Sequence, residues 1–184
     1  MAVERKMKTN IALIGYMGTG KTLVGQHLAE KLGMNLIELD WFIEQEAGMT
    51  IPEIFEREGE TGFREREIAA THVIAGEKDS IIACGGGIVL NRINIDRLKE
   101  SSVIVCLEAS PETILERVSG EAGQRPLLEV NDRLKTIKEM LEFRRPLYRH
   151  AAEITVATTG IGPEDAADSI IEKLREYEGF FAKK

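Results

Sequence analysis

The chain has 184 residues, enough for one domain that buries about 70 % of the surface exposed by its unfolded chain. Its formal net charge of -7 argues against nucleic acid or a membrane surface as partner, since both are bound by a net basic face. No apolar stretch approaches the roughly 18 residues of a membrane span, and the first ten residues lack the apolar core of a signal peptide. We therefore expect a cytoplasmic protein.

The strongest signal lies in residues 10–23. An apolar run ends at Gly15, and Gly20, Lys21 and Thr22 follow after four residues, which is the phosphate-loop motif G-x-x-x-x-G-K-[ST]. Its glycines let backbone N–H groups converge on an anion, Lys21 adds a positive charge for the outer phosphates, and the Thr22 hydroxyl suits Mg²⁺. The candidate ATP-binding residues here are Gly18, Thr19, Gly20, Lys21, Thr22 and Leu23.

Further along the chain, short apolar runs alternate with runs of helical period. We expect strands at 35–39, 80–84, 103–107 and 154–156, and helices at 23–32, 41–47, 51–57, 63–75, 92–100, 111–118, 132–150 and 163–177. A turn is expected at 59–62 and a frayed tail at 180–184. The alternation predicts an α/β fold with a parallel sheet covered on both faces, in one domain over residues 1–184. Ligands of such sheets bind beyond the carboxyl ends of the strands.

Two groups of residues at expected strand ends are candidates for chemistry. Glu38 and Asp40 follow the strand after the phosphate loop, where one carboxylate suits Mg²⁺ and the other a second substrate. Gly85, Gly86 and Gly87 follow the next strand, and three consecutive glycines favour close backbone approach by a ligand.

Three arginines are also candidates for binding anions. Arg64 is expected at a helix start, whereas Arg66 and Glu67 beside it are explained by a charged helix face. Arg125 lies in a mobile lid of about residues 119–128, directly after its small and polar stretch 119–124, and could swing from there over transferring phosphates. Arg144, near the end of a long helix, could bind a carboxylate through two parallel hydrogen bonds. The two cysteines, Cys84 and Cys106, are expected to be reduced core residues.

Taken together, nearly the whole chain resembles the shikimate kinase family. The resemblance rests on the phosphate loop, Leu39-Asp40, Phe63-Arg64-x-x-Glu67, Gly85-Gly-Gly87, Arg125-Pro-Leu-Leu128 and Arg144-x-Pro146-Leu-Tyr148. It implies a phosphate-loop fold like that of nucleoside monophosphate kinases, with a five-stranded parallel sheet and a closing lid. It also implies transfer of the ATP γ-phosphate to the 3-hydroxyl of shikimate, in aromatic amino-acid biosynthesis.

The resemblance also implies roles for individual residues. Asp40 matches the acid that holds shikimate hydroxyls, and Arg64 and Arg144 match the arginines on its carboxylate. Arg125 matches the lid arginine on the ATP phosphates, and Arg117 is similar to the arginine near adenine. The one departure is Glu38, where the family usually has Asp.

The expected catalytic residues are therefore Lys21, Asp40 and Arg125, and Thr22 and Glu38 are expected at Mg²⁺. Shikimate and ATP are the expected partners of a monomeric enzyme, with no nucleic acid and no membrane. Two alternatives stay open at this point. One is another small-molecule kinase of the same fold, acting on gluconate or a nucleotide, and the other is a regulator that binds ATP without turnover.

Overall fold

The computed structural model describes residues 7–119 and 132–180. In chain order the elements are β1 (Asn10–Ile14), α1 (Lys21–Leu32), β2 (Asn35–Glu38), α2 (Leu39–Ala47), α3 (Ile51–Ile74), β3 (Ser80–Ala83), a 3₁₀ turn (Ile88–Leu90), α4 (Arg92–Ser101), β4 (Ser102–Glu108), α5 (Pro111–Val118), α6 (Arg133–Ala151), β5 (Ile154–Ala157) and α7 (Pro163–Glu176). These bounds agree with the expected elements to within a few residues, except in α3 and at the 3₁₀ turn, which the sequence did not indicate.

All five strands pair in parallel, in the spatial order β2-β3-β1-β4-β5. Alternate residues of central strand β1 enter two cores: Ala12 and Ile14 pack with α2 to α6, and Ile11 and Leu13 pack with α1 and α7. Both faces of the sheet are therefore covered, which explains why the three inner strands β3, β1 and β4 are buried without alternation. The predicted α/β fold with a five-stranded parallel sheet is confirmed.

The region of residues 51–74 contains the two helices that the sequence predicts, but differs in the length of the break between them. As predicted, two helical parts lie here, but the break between them is the single residue Gly59, with φ 69° and ψ -176°, rather than a four-residue turn at 59–62. Arg64 consequently lies within a helix rather than at a helix start. The N-terminus of α3 is fixed by a capping box in which Thr50 and Glu53 satisfy each other's backbone N–H groups.

The remaining expectations concern buried cysteines and the chain ends. Cys84 and Cys106 are both buried and unpaired by disulfide, as predicted. Phe180, expected to begin a frayed tail, instead forms an isolated parallel bridge with Lys8. The expected lid and Arg125 lie outside the described residues, except for Ser119. Among the helices within residues 7–119 and 132–180, none is both long enough and apolar enough to cross a membrane.

Candidate active site

The phosphate loop joins β1 to α1 and holds Lys21 over its own backbone. Lys21 Nζ donates hydrogen bonds to the carbonyl oxygens of Gly15 and Tyr16, both at 2.9 Å. Gly15 has a φ of 143°, and a Cβ there would overlap the carbonyl oxygen of Leu107 at the end of β4. Only glycine therefore allows the loop to turn back so tightly over the sheet edge.

Thr22 and Glu38, the two residues expected at Mg²⁺, lie next to each other beside this loop. The Thr22 hydroxyl donates to Glu38 Oε2 at 3.2 Å, so a hydroxyl and a carboxylate from α1 and β2 face one point. No group of three or more His, Cys, Asp and Glu side chains that could hold a metal occurs in the described part of the chain. One carboxylate and one hydroxyl, completed by phosphate oxygens and water, suit Mg²⁺, which keeps several waters when bound. The residues present thus fit the ion.

Arg117 connects α5 to the phosphate loop. Its Nη1 donates to the Gly18 carbonyl at 3.2 Å, and its Nη2 donates to the Thr158 carbonyl at 2.8 Å. The Thr158 hydroxyl in turn donates to the Thr19 carbonyl at 3.0 Å. Thr158 lies just beyond β5, and no sequence motif indicated that it belongs to the site, because only the order of the strands brings it beside the loop. These residues border a cavity of about 490 Å³ that also includes Lys21, Thr22, Glu38 and Asp40.

A second cavity of about 520 Å³ adjoins the first. Both share Met17, Asp40, Gly85 and Gly86. A Cβ on Gly86 would lie 3.2 Å from the backbone nitrogen of Met17, so the glycine turn touches the phosphate loop. The second cavity is lined further by Glu44, Thr50, Ile51, Pro52, Phe55, Phe63, Arg64, Glu67, Gly87 and Arg144.

Arg64 reaches this second cavity from α3 between two carboxylates. Its Nη1 donates to Glu67 Oε2 at 2.9 Å, and its Nη2 donates to Glu60 Oε1 at 3.2 Å. The guanidinium occupies the space that a side chain on Gly87 would fill. Gly87 therefore makes room for the protein's own side chain, which the sequence analysis did not predict.

Glu67 is the main residue that the sequence analysis misjudged. It was explained by an exposed charged face, but its side chain is 0 % exposed, and Oε1 accepts no hydrogen bond from any described residue. Burial raises the pKa of Glu67 to about 7, partly offset by the charge and hydrogen bond of Arg64. Its spacing from Arg64, i and i+3, could have indicated that both lie on one helix face.

Asp40 faces the same turn from the first turn of α2. A Cβ on Gly85 would lie 2.7 Å from Asp40 Oδ1 and 3.2 Å from Glu67 Oε1. The two carboxylates thus converge on the backbone of Gly85. Asp40 also borders both cavities.

Arg144 reaches the same place from α6. It is 5 % exposed, donates to the Gly86 carbonyl at 3.3 Å, and lies 5.7 Å from the centroid of the Tyr16 ring. The Tyr148 hydroxyl donates to the same carbonyl. Burial raises the pKa values of both tyrosines, so they are neutral hydrogen-bonding groups at physiological pH. Neither tyrosine was predicted to contribute to the site.

The first cavity lies on a phosphate loop and has the size of a nucleotide, and the adjoining cavity contains two guanidinium groups and an aspartate. Together they define a phosphate-loop kinase with a small anionic acceptor. A family model described as shikimate kinase matches residues 17–175. The chain belongs to the shikimate kinase family, as its resemblance to that family predicted.

Similar proteins and solved structures support the same family. The shikimate kinase of Thermodesulfovibrio yellowstonii is 46 % identical over 92 % of this chain and 95 % of the relative, and that of Caldanaerobacter subterraneus is 44 % identical over 92 % and 98 %. The structure of Acinetobacter baumannii shikimate kinase in complex with shikimate has a TM-score of 0.89 at 38 % identity, covering 93 % of this chain and 95 % of that one. A sugar kinase from Janibacter, at 18 % identity and a TM-score of 0.60, shares the fold alone.

Proposed function

We propose that this chain transfers the γ-phosphate of ATP to the 3-hydroxyl of shikimate, giving shikimate 3-phosphate and ADP in the chorismate branch of aromatic amino-acid biosynthesis. The observation that carries the proposal is the contact between the two cavities at Asp40 and the glycine turn. An acceptor hydroxyl held by Asp40 would lie next to the phosphate loop. Membership of the shikimate kinase family identifies the acceptor and decides against the gluconate or nucleotide kinase alternative and against a regulator without turnover.

The second cavity, called the acceptor cavity from here on, would receive shikimate, and two arginines would hold the shikimate carboxylate there. Arg64 and Arg144 reach the glycine turn from α3 and α6, and a guanidinium binds a carboxylate through two parallel hydrogen bonds. Gly85, Gly86 and Gly87 would line the substrate with their backbone. Asp40 would accept hydrogen bonds from shikimate hydroxyls, and it could also accept the proton of the attacking hydroxyl.

On the nucleotide side, the phosphate loop would bind the ATP phosphates. Phosphoryl transfer needs mainly positioning and charge neutralisation, which Lys21 and the backbone N–H groups of residues 18–23 would supply. Arg117, fixed against Thr158, would border the adenine. Thr22 and Glu38 would hold Mg²⁺, which neutralises charge on the phosphate oxygens when bound with ATP. Arg125, outside the described residues, keeps its proposed role on the phosphates.

One assay tests the acceptor assignment. ADP release by the purified protein should depend on shikimate and should not occur with gluconate or a nucleoside monophosphate in its place. ADP release with a nucleotide acceptor and none with shikimate would refute the proposed function.

Two variants test the binding residues. Arg64→Lys and Arg144→Lys should each raise the KM for shikimate far more than the KM for ATP, because lysine cannot form the planar pair of hydrogen bonds. An equal rise in both KM values would show that these arginines do not act on the acceptor.

We also propose that the protein is a cytoplasmic monomer, as the sequence analysis expected. Sedimentation equilibrium should give a mass near 20.5 kDa. A mass of twice that value at enzyme-assay concentrations would refute the monomer.

A further inference from the structure

The kink at Gly59 divides α3 into two parts that line different walls of the acceptor cavity. The first part contributes Ile51, Pro52 and Phe55, and the second contributes Phe63, Arg64 and Glu67. The angle between the two parts therefore sets the distance between an apolar wall and the arginine that would bind the substrate carboxylate. A helix interrupted at one glycine does not fix this angle by its own hydrogen bonds.

One ion pair spans the kink on the side away from the cavity. Arg66 Nε donates to Glu58 Oε2 and Arg66 Nη2 donates to Glu58 Oε1, both at 2.7 Å, across eight residues of chain. Two parallel bonds of this kind fix orientation as well as distance. Arg66 contacts neither substrate cavity; it borders a small groove between α2 and α3 with Phe42 and Val73.

Two further contacts make the bend tight. A Cβ on Gly62 would overlap Glu58 Cβ, so glycine at 62 allows the first part of α3 to fold back closely. On the cavity side, the rings of Phe55 and Phe63 lie 4.9 Å apart between centroids. The bend at Gly59 is thus held by an aromatic contact on the cavity side and by the Glu58–Arg66 pair on the opposite side.

We propose that the Glu58–Arg66 pair positions the acceptor cavity by fixing the bend at Gly59, which holds the wall of Ile51, Pro52 and Phe55 at the correct distance from Arg64. Both residues act through α3 and neither touches substrate. The proposal rests on the assignment of this cavity to shikimate, which the wild-type acceptor assay tests separately.

Single substitutions test the role of the pair. Glu58→Gln and Arg66→Gln should each raise the KM for shikimate by about three- to fivefold, the scale of a partly exposed ion pair. The KM for ATP and kcat should stay within twofold of the wild-type values, because the phosphate loop is untouched. Both side chains are about one-third exposed, so the variants should fold.

A charge swap and a matched control complete the test. The double variant Glu58→Arg/Arg66→Glu should bring the KM for shikimate back to within twofold of wild type. Arg92→Gln removes an exposed ion pair with Asp96 on α4 that borders neither substrate cavity, and should change neither KM. Unchanged KM values in both single variants, an equal rise in both KM values, or a charge swap no better than the single variants would each overturn the proposal.

Discussion

Replacing Gly87 by alanine should damage acceptor binding without damaging the fold. Gly87 has φ -95° and ψ 0°, a conformation that residues other than glycine adopt in type I turns, so the substitution does not require a left-handed backbone. The added Cβ would, however, overlap the Arg64 guanidinium. Since that group ends a flexible side chain, the guanidinium will move and the backbone will stay in place.

The size of the effect follows from this displacement. Non-bonded heavy atoms in contact stand about 3.5 Å apart, so the guanidinium must shift by roughly 1 Å to clear the new methyl group. A shift of that size in a positioning group lowers catalytic efficiency by up to about 10²-fold. We expect a loss of this order in kcat/KM for shikimate, with the KM for ATP unchanged.

Steady-state kinetics with each substrate varied in turn, together with thermal unfolding, would measure this. Gly76→Ala is the matched control, because its Cβ would meet only the Val73 carbonyl oxygen, at 3.3 Å, after the end of α3. A Gly87→Ala enzyme with kcat/KM for shikimate within threefold of wild type would refute the reasoning. It would show that Arg64 can occupy another position and still bind the substrate.

Four more predictions concern charged residues of the site. Lys21→Met should abolish turnover and leave the unfolding temperature unchanged; near-normal kcat would contradict the phosphate-loop assignment. Glu38→Asp should retain activity at saturating Mg²⁺, and a loss beyond about tenfold, about 1.4 kcal/mol of barrier, would show that the extra methylene is needed. For Glu67→Gln, the raised pKa of Glu67 fixes the sign: protonated Glu67 contributes its full stabilisation below about pH 4.5, and this stabilisation is lost as the pH rises through about 7. Urea unfolding should therefore show wild type losing on the order of 3 kcal/mol relative to the variant between pH 5 and 8, and a constant difference would contradict the raised pKa. Arg125→Ala should lower kcat by about 10²-fold or more, with little change in shikimate binding; an unaltered kcat would leave that arginine without a catalytic role.

The parts of the site that are formed by residues close together in the sequence could be predicted from it. Gly15, Lys21 and Thr22 act within a single turn, so their spacing specifies their geometry. The strand-end rule likewise predicted that Glu38 and Asp40 would lie at the same sheet edge as the glycine turn, because all parallel strands end there.

The parts that depend on packing between distant elements were not predictable in the same way. Glu67 has the polarity of a surface residue, and only the packing of α3 on the glycine turn shows that it is buried. Tyr16 and Tyr148 come together through α6, and nothing in either local sequence indicates a partner. The four glycine and polar residues at 59–62 have turn composition, yet only Gly59 leaves helical geometry, and the Glu58–Arg66 pair and the Phe55–Phe63 contact link the two parts of α3 across it.

The strand order has a consequence for how the chain acquires its structure during synthesis. β1 and β2 come first, but they are not neighbours, because β3 lies between them. A nascent chain that ends before Ser80 therefore contains no pair of strands that can hydrogen-bond as in the native sheet. Residues 10–14 must wait for residues 80–83 and then for residues 102–106 before both of their edges are paired. More than half of the chain must therefore leave the ribosome before both edges of β1 are paired and the phosphate loop gains a rigid support. Such long-range pairing is also slow.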